Sequence, residues 1–159
     1  MILIPPLAIS TQSGSSPVFQ LCKTMVGGKW EGVAGKNTRI EFTFHFEDDG
    51  NKFVAVGQIG AGSAHPISVH SSYGWDAEKK QVYYLDQHGY DTVYFGHVTR
   101  EGNDLVLDFK GLAGDAGHYA SRAVVSKDSY VVEMSTEKDG KWESMGLHIQ
   151  LHRITEGKS

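Results

Sequence analysis

The sequence predicts an all-β fold: an antiparallel up-and-down barrel of about ten strands with one short N-terminal helix. Three observations carry this expectation. Apolar and polar residues alternate with period two from Lys29 to Ile154, most strictly through Arg39, Ile40, Glu41, Phe42, Thr43, Phe44, His45 and Phe46. Turn-forming clusters recur at intervals of roughly 10–14 residues, which suits consecutive hairpins and leaves no length for crossover helices. The 159 residues include 19 glycines and four prolines, a composition of many tight turns without a collagen-like repeat. A meander of that many strands with no helix on its faces closes on itself, because closure removes the unpaired edges.

Residues 1–16 read as a flexible arm. Positions 1–9 are apolar, but they lack Lys and Arg, are interrupted by Pro5 and Pro6, and are too short to cross a bilayer. Ser16 then stands as an N-cap before Pro17. Val18, Leu21, Cys22 and Met25 follow at helical spacing up to the Gly27-Gly28 pair, giving a helix over 17–26. The first strand is expected over 29–35 and the last over 143–153, with intervening turns at 48–51, 60–64, 77–80, 88–91, 101–104, 114–117, 127–129 and 138–141. Helix and strands make one barrel domain, 17–155, with a tail at 156–159.

Alternation also assigns faces, since the more apolar register of each strand should point inward. That register holds Phe42, Phe44 and Phe46, then Phe53 and Ile59, then Ile67, Val69 and Tyr73. It continues with Val93, Phe95 and His97, with Leu105, Leu107 and Phe109, with Val132 and Met134, and with Leu147, Ile149 and Leu151. A barrel of this size encloses more volume than its own side chains fill, so a cavity is expected. The ligand-binding lining is expected to include Phe42, Phe44, Tyr73, Tyr84, Phe95, His97, Phe109 and Met134, with His97 or Tyr73 as the polar anchor.

Charge and cysteine content exclude several classes. Fifteen Lys and Arg against 19 Asp and Glu give a net charge of -4, which argues against a nucleic-acid binder, and no segment suits membrane insertion. Cys22 is the only cysteine, so neither an intrachain disulfide nor a zinc site built on paired cysteines can form. A cytoplasmic setting is expected. A secreted or periplasmic one is the alternative if the apolar start is the remnant of a signal peptide. Eight histidines, at 45, 65, 70, 88, 97, 118, 148 and 152, raise the question of a metal. HExxH is absent, however, and on a strand His148 and His152 would lie about 13 Å apart, too far to share an ion, so no metal is expected. Neither a G-x-S-x-G elbow nor a phosphate loop leading into a helix is present.

The run Gly28-Lys29-Trp30-Glu31-Gly32 resembles the G-x-W-x-G signature of calycin-like barrels, the group of the lipocalins and fatty-acid-binding proteins. Tyr73-Gly74-Trp75-Asp76-Ala77-Glu78-Lys79-Lys80, followed by 81–86 and by Thr92-Val93-Tyr94-Phe95-Gly96, is similar to an uncharacterised family of small bacterial barrels of this type. The likeness runs from Gly28 to Arg153. It implies the calycin fold, with Trp30 seated across the closed end, and no particular activity. A second, partial resemblance is to nitrobindin, a haem barrel with its proximal histidine on the last strand. It implies haem as cofactor and His148 as axial ligand, within His148-Ile149-Gln150-Leu151-His152-Arg153. The match departs at Ala34-Gly35 and over 73–80, and the alternation of Leu147, Ile149 and Leu151 puts His148 on the face opposite the apolar lining.

Three functions follow from these readings. The first is binding of a small hydrophobic or amphipathic molecule in the barrel without a cofactor, a homodimer being the further partner compatible with it. The second is a haem barrel held by His148. The third is an isomerase or cyclase in which His97 is the catalytic acid or base, with His45, Tyr73 or Arg122 as partners. His118 and Arg122 share a register that would add polarity to the same interior.

Overall fold

A computed structural model describes residues 16–155. The arm before Ser16, the apolar segment behind the signal-peptide alternative and the tail at 156–159 lie outside the described residues. Ten strands form a closed antiparallel barrel. They are β1 (Lys29–Ala34), β2 (Thr38–Glu47), β3 (Lys52–Ile59), β4 (Ile67–Asp76), β5 (Gln81–His88), β6 (Thr92–Glu101), β7 (Asp104–Ala113), β8 (His118–Val125), β9 (Ser129–Lys138) and β10 (Lys141–Ile154). Each strand pairs with its sequence neighbours, and β10 returns to β1, so no edge remains unpaired. The all-β fold class and the strand number agree with the expectation from alternation and turns. Among the described residues, no helix is long and apolar enough to cross a membrane.

The helix is shorter than the sequence suggests. Its α-helical part, α1 (Pro17–Cys22), passes into a 3-10 turn over Lys23–Met25. Pro17 starts it without losing a helical hydrogen bond, because the first amides have no partner within the helix. Val18, Phe19, Leu21, Cys22 and Met25 are all buried, so this short element is held by packing rather than by its own hydrogen bonds. Phe19 meets Phe46 edge to face at 5.6 Å, and the Arg100 guanidinium donates to the Pro17 carbonyl at 3.1 Å. Helix α1 thereby closes the end of the barrel at which β1 begins and β10 ends.

Trp30 ties this end together. Its side chain is fully buried, and its indole N–H donates to the Met25 carbonyl at 3.0 Å, fixing the end of the helical segment to β1. The Arg153 guanidinium lies 4.7 Å from the centre of the indole ring, a cation–π contact between the first strand and the last. The same guanidinium donates to the carbonyls of Thr24, Val26, Gly27 and Lys127. Gly32, the second glycine of the motif, has an equally direct reason. A Cβ there would lie 1.7 Å from the Gln150 carbonyl oxygen, so only glycine lets β10 pair this closely with β1.

Inside, aromatic rings form a ladder across neighbouring strands. Phe44 stacks on Phe53 at 5.7 Å, Phe53 packs on Tyr73 at 5.4 Å, Tyr73 on Tyr84 at 5.3 Å, and Tyr84 on Phe109 at 5.4 Å. The last step skips β6, where Gly96 pairs with Tyr84 on one side and with Phe109 on the other. A Cβ at Gly96 would sit 1.9 Å from the Asp108 carbonyl oxygen and 2.6 Å from the Cβ of Phe109. This glycine lies in the inner register, and that corrects the face expected for β6. Tyr94, Gly96 and Val98 point inward, whereas Phe95 and His97 are exposed on the outer surface, Phe95 at 39%. There Phe95 stacks on Tyr83 at 6.2 Å and touches the His97 ring at 5.9 Å.

Replacing Arg153 by Ala is expected to lower the unfolding free energy by about 2–4 kcal/mol in urea, from the lost charge-assisted hydrogen bonds and the cation–π contact. Combining it with Trp30→Phe should show a coupling of about 1 kcal/mol in a double-mutant cycle. Strict additivity would mean that the ring and the guanidinium act independently.

Candidate functional site

The inner faces of the strands enclose a cavity of about 280 Å³. It is lined mainly by apolar and aromatic side chains, among them Phe42, Phe44, Tyr73, Tyr84, Phe109 and Met134, six of the eight positions expected from alternation. The other two expected lining residues, Phe95 and His97, are absent from it for the reason given for β6, and His97 offers no acid or base to the interior. Its expected partners His45 and Arg122 are also exposed. His45 pairs with Glu47 at 3.0 Å, and Arg122 pairs with Asp104 at 2.6 Å and with Glu101. His118, expected inside with Arg122, is held outside between Asp108, at 2.7 Å, and Glu137, with its ring 4.9 Å from that of Trp142. The Asp108 carboxylate beside it raises the His118 pKa.

The polar groups of the cavity come from elsewhere. Along β5 the inward register runs Val82, Tyr84, Asp86 and His88, so alternation carries a carboxylate and an imidazole inside on the same stripe as two apolar residues. Asp86 is only 4% exposed. It accepts hydrogen bonds from the Ser71 hydroxyl and the Tyr84 hydroxyl, each at 2.7 Å, and its carboxylate lies 2.7 Å from His88 Nε2. A buried carboxylate needs such donors, because without them its desolvation would cost several kcal/mol. His88 in turn packs edge to face on Tyr94 at 5.4 Å.

A second carboxylate enters from the loop joining β7 and β8, at the end of the barrel away from α1. Asp115 accepts from the Tyr119 hydroxyl at 2.7 Å, the Tyr94 hydroxyl at 3.0 Å and the Gly117 amide at 2.7 Å. The Tyr119 bond, followed by that of the Gly117 amide, holds the Asp115 carboxyl below the usual carboxylate range. On the phenols, burial and the neighbouring carboxylates act in the same direction, and both raise the pKa. Desolvation first, then the Asp86 charge, pushes the Tyr84 pKa far up, and desolvation does the same for Tyr73 and Tyr130. These hydroxyls are therefore neutral hydrogen-bond donors and acceptors, not anions. Cys22 lies behind this wall, its thiol pKa raised by burial, which leaves it unreactive.

Alternation through Tyr84 already implied Asp86 and His88, two and four residues further along one strand. The signal is easily lost, because a charged residue on an apolar stripe reads as the end of the strand. The register that alternation prefers for β6 hides Tyr94, and Asp115 sits in a turn, where alternation has no meaning. An imidazole braced by a buried carboxylate at a cavity wall is able to take up or deliver a proton.

The haem implied by the nitrobindin resemblance does not fit these residues. His148 is exposed, between Leu147 and the cavity-lining Ile149, and so offers no ligand to the interior. His88, the one histidine lining the cavity among the described residues, has Nε2 against Asp86. Among the described residues, no Lys or Arg lines the cavity to meet propionates.

Fold and cavity together define a closed ten-strand antiparallel β-barrel with an aromatic interior, an architecture that fits the calycin-like class. Among solved structures, the chain is similar to the crystal structure of Rv2717c from M. tuberculosis, with a TM-score of 0.61 and 16% sequence identity over 88% of this chain and 99% of that one. That likeness establishes the shared fold. No family model and no curated protein sequence matches the chain.

The lowered Asp115 pKa fixes a pH dependence. A carboxyl whose pKa is lower folded than unfolded stabilises the barrel above its unfolded value, and this contribution is lost as the pH falls through the folded value. Asp115→Asn is expected to flatten the acid limb of a stability-versus-pH profile measured by urea unfolding. An unchanged limb would mean that the Tyr119 and Gly117 bonds do not favour the ionised carboxyl.

Proposed function

We propose that this protein binds a small amphipathic molecule inside the barrel. The observation that carries the reading is the cavity itself: about 280 Å³, walled by aromatic rings and furnished with two carboxylates, an imidazole and several phenols. An apolar pocket with a few fixed polar groups is the usual form of a small-molecule site. The polar groups here are also held by one another, so a ligand meets an already ordered wall. Phenethyl alcohol, a neutral ring with one polar end, is a suitable probe. Titrated against labelled protein, it should shift amide resonances of the cavity strands. Ser121→Phe, which places a ring in the cavity without removing a hydrogen bond assigned to Ser121, should weaken it about tenfold or more while leaving the circular dichroism unchanged. Absence of binding to the unaltered protein, or equal binding to the filled variant, would exclude the reading.

A second reading, an isomerase or cyclase, is favoured by one observation: His88 lines the cavity with its Nε2 at 2.7 Å from the buried Asp86 carboxylate. The elementary step of such an enzyme is removal of a proton from carbon, with His88 as the base and Asp86 stabilising the resulting imidazolium. Benzylacetone in heavy water should then exchange its α-protons faster with protein than in buffer, and His88→Gln should abolish the difference. Exchange at the buffer rate would remove this reading and leave the first intact.

A further inference from the structure

We infer that the cavity is selective for organic cations: its ligand is a small aryl-alkyl amine whose ring fills the aromatic interior and whose ammonium group is directed at Asp115 and Asp86. The inference rests on the ligand-binding reading above and adds the charge of the ligand to it. Three observations support it independently.

The first is the charge of the lining. Among the described residues, Asp86 and Asp115 are its carboxylates, His88 is its one basic group, and no Lys or Arg lines it. With His88 neutral or protonated, the sum is negative. An anionic ligand such as a fatty acid would bring a further negative charge into a low-dielectric site with no fixed cation to receive it, a strongly unfavourable placement. A cation meets the opposite situation.

The second is the form of the wall. The rings of Tyr94, Phe109 and Tyr119 are in mutual contact, with centroids 5.6–5.9 Å apart, and Tyr94 and Tyr119 both donate to Asp115. Aromatic faces attract ammonium groups through the ring quadrupole, the more so where water is excluded. Because both phenols donate to the carboxylate, their own oxygens are left able to accept from an ammonium N–H.

The third is size. An apolar cavity of about 150 Å³ takes up benzene, so one of about 280 Å³ accommodates a ring with a short chain rather than a long acyl tail.

The test compares three ligands of one shape, namely phenethylamine, phenethyl alcohol and hydrocinnamate, titrated by NMR. The amine is expected to bind at least tenfold more tightly than the alcohol, and hydrocinnamate most weakly. Asp115→Asn should reduce the amine's affinity about tenfold more than it reduces that of the alcohol. Met145→Lys offers a second variant, since Met145 lines the cavity yet is 43% exposed, and a charge there should weaken the amine and strengthen hydrocinnamate without disturbing the core. Equal binding of amine and alcohol, tighter binding of hydrocinnamate, or an amine affinity unaffected by both variants would overturn the cation assignment while the cavity reading stands. Failure of all three ligands to bind would overturn both.

Discussion

The contact of Arg153 with Trp30 is the constraint on which the rest of the barrel depends. A meander of antiparallel strands can lie open, and closing it requires that the last strand find the first. Here the meeting is enforced by one side chain from each: the indole buried under the helical segment, the guanidinium laid on its face and bonded to carbonyls of the helix end and of the turn before β9. Gly32 completes the junction by letting the β10 backbone approach without obstruction. One small cluster therefore joins the two ends of the sheet, seats the helix and seals one mouth of the barrel.

Closure at that end leaves the interior to be divided between packing and cavity. The aromatic ladder from Phe44 to Phe109 fills the wall, and Gly96 is the point at which a strand contributes no side chain so that rings from its two neighbours can meet. The polar groups are embedded in that wall as two separate sets, Asp86 with Ser71, Tyr84 and His88, and Asp115 with Tyr94, Tyr119 and the Gly117 amide. Each carboxylate is satisfied by the protein alone, which is why an apolar interior tolerates both.

Much of this architecture was legible in the sequence because period-two alternation and turn chemistry act locally. Phe42, Phe44 and Phe46 identify the inner face of β2 with no knowledge of their partners. Alternation failed where the inner register holds a residue whose value comes from its neighbours. Gly96 is apolar space only because Tyr84 and Phe109 cover it, and a rule that scores each strand by itself prefers Phe95 and His97. The candidate site was less legible for a related reason. Asp86 is expensive to bury alone and acceptable beside Ser71 and Tyr84, and that pairing across strands depends on a register no single strand reveals. Asp115 is further removed still, since its role comes from a loop folded over two tyrosines.

The seal formed by the helix has a kinetic consequence. A barrel with both ends open could pass a molecule through, admitting one as another departs. With α1 packed across one mouth, a molecule bound as proposed would, among the described residues, enter and leave past the rim that carries His88, Tyr94 and Asp115. If the barrel binds a small molecule as proposed, one occupant would have to leave before another arrived, and the residence time would be set by the rim residues rather than by the aromatic floor.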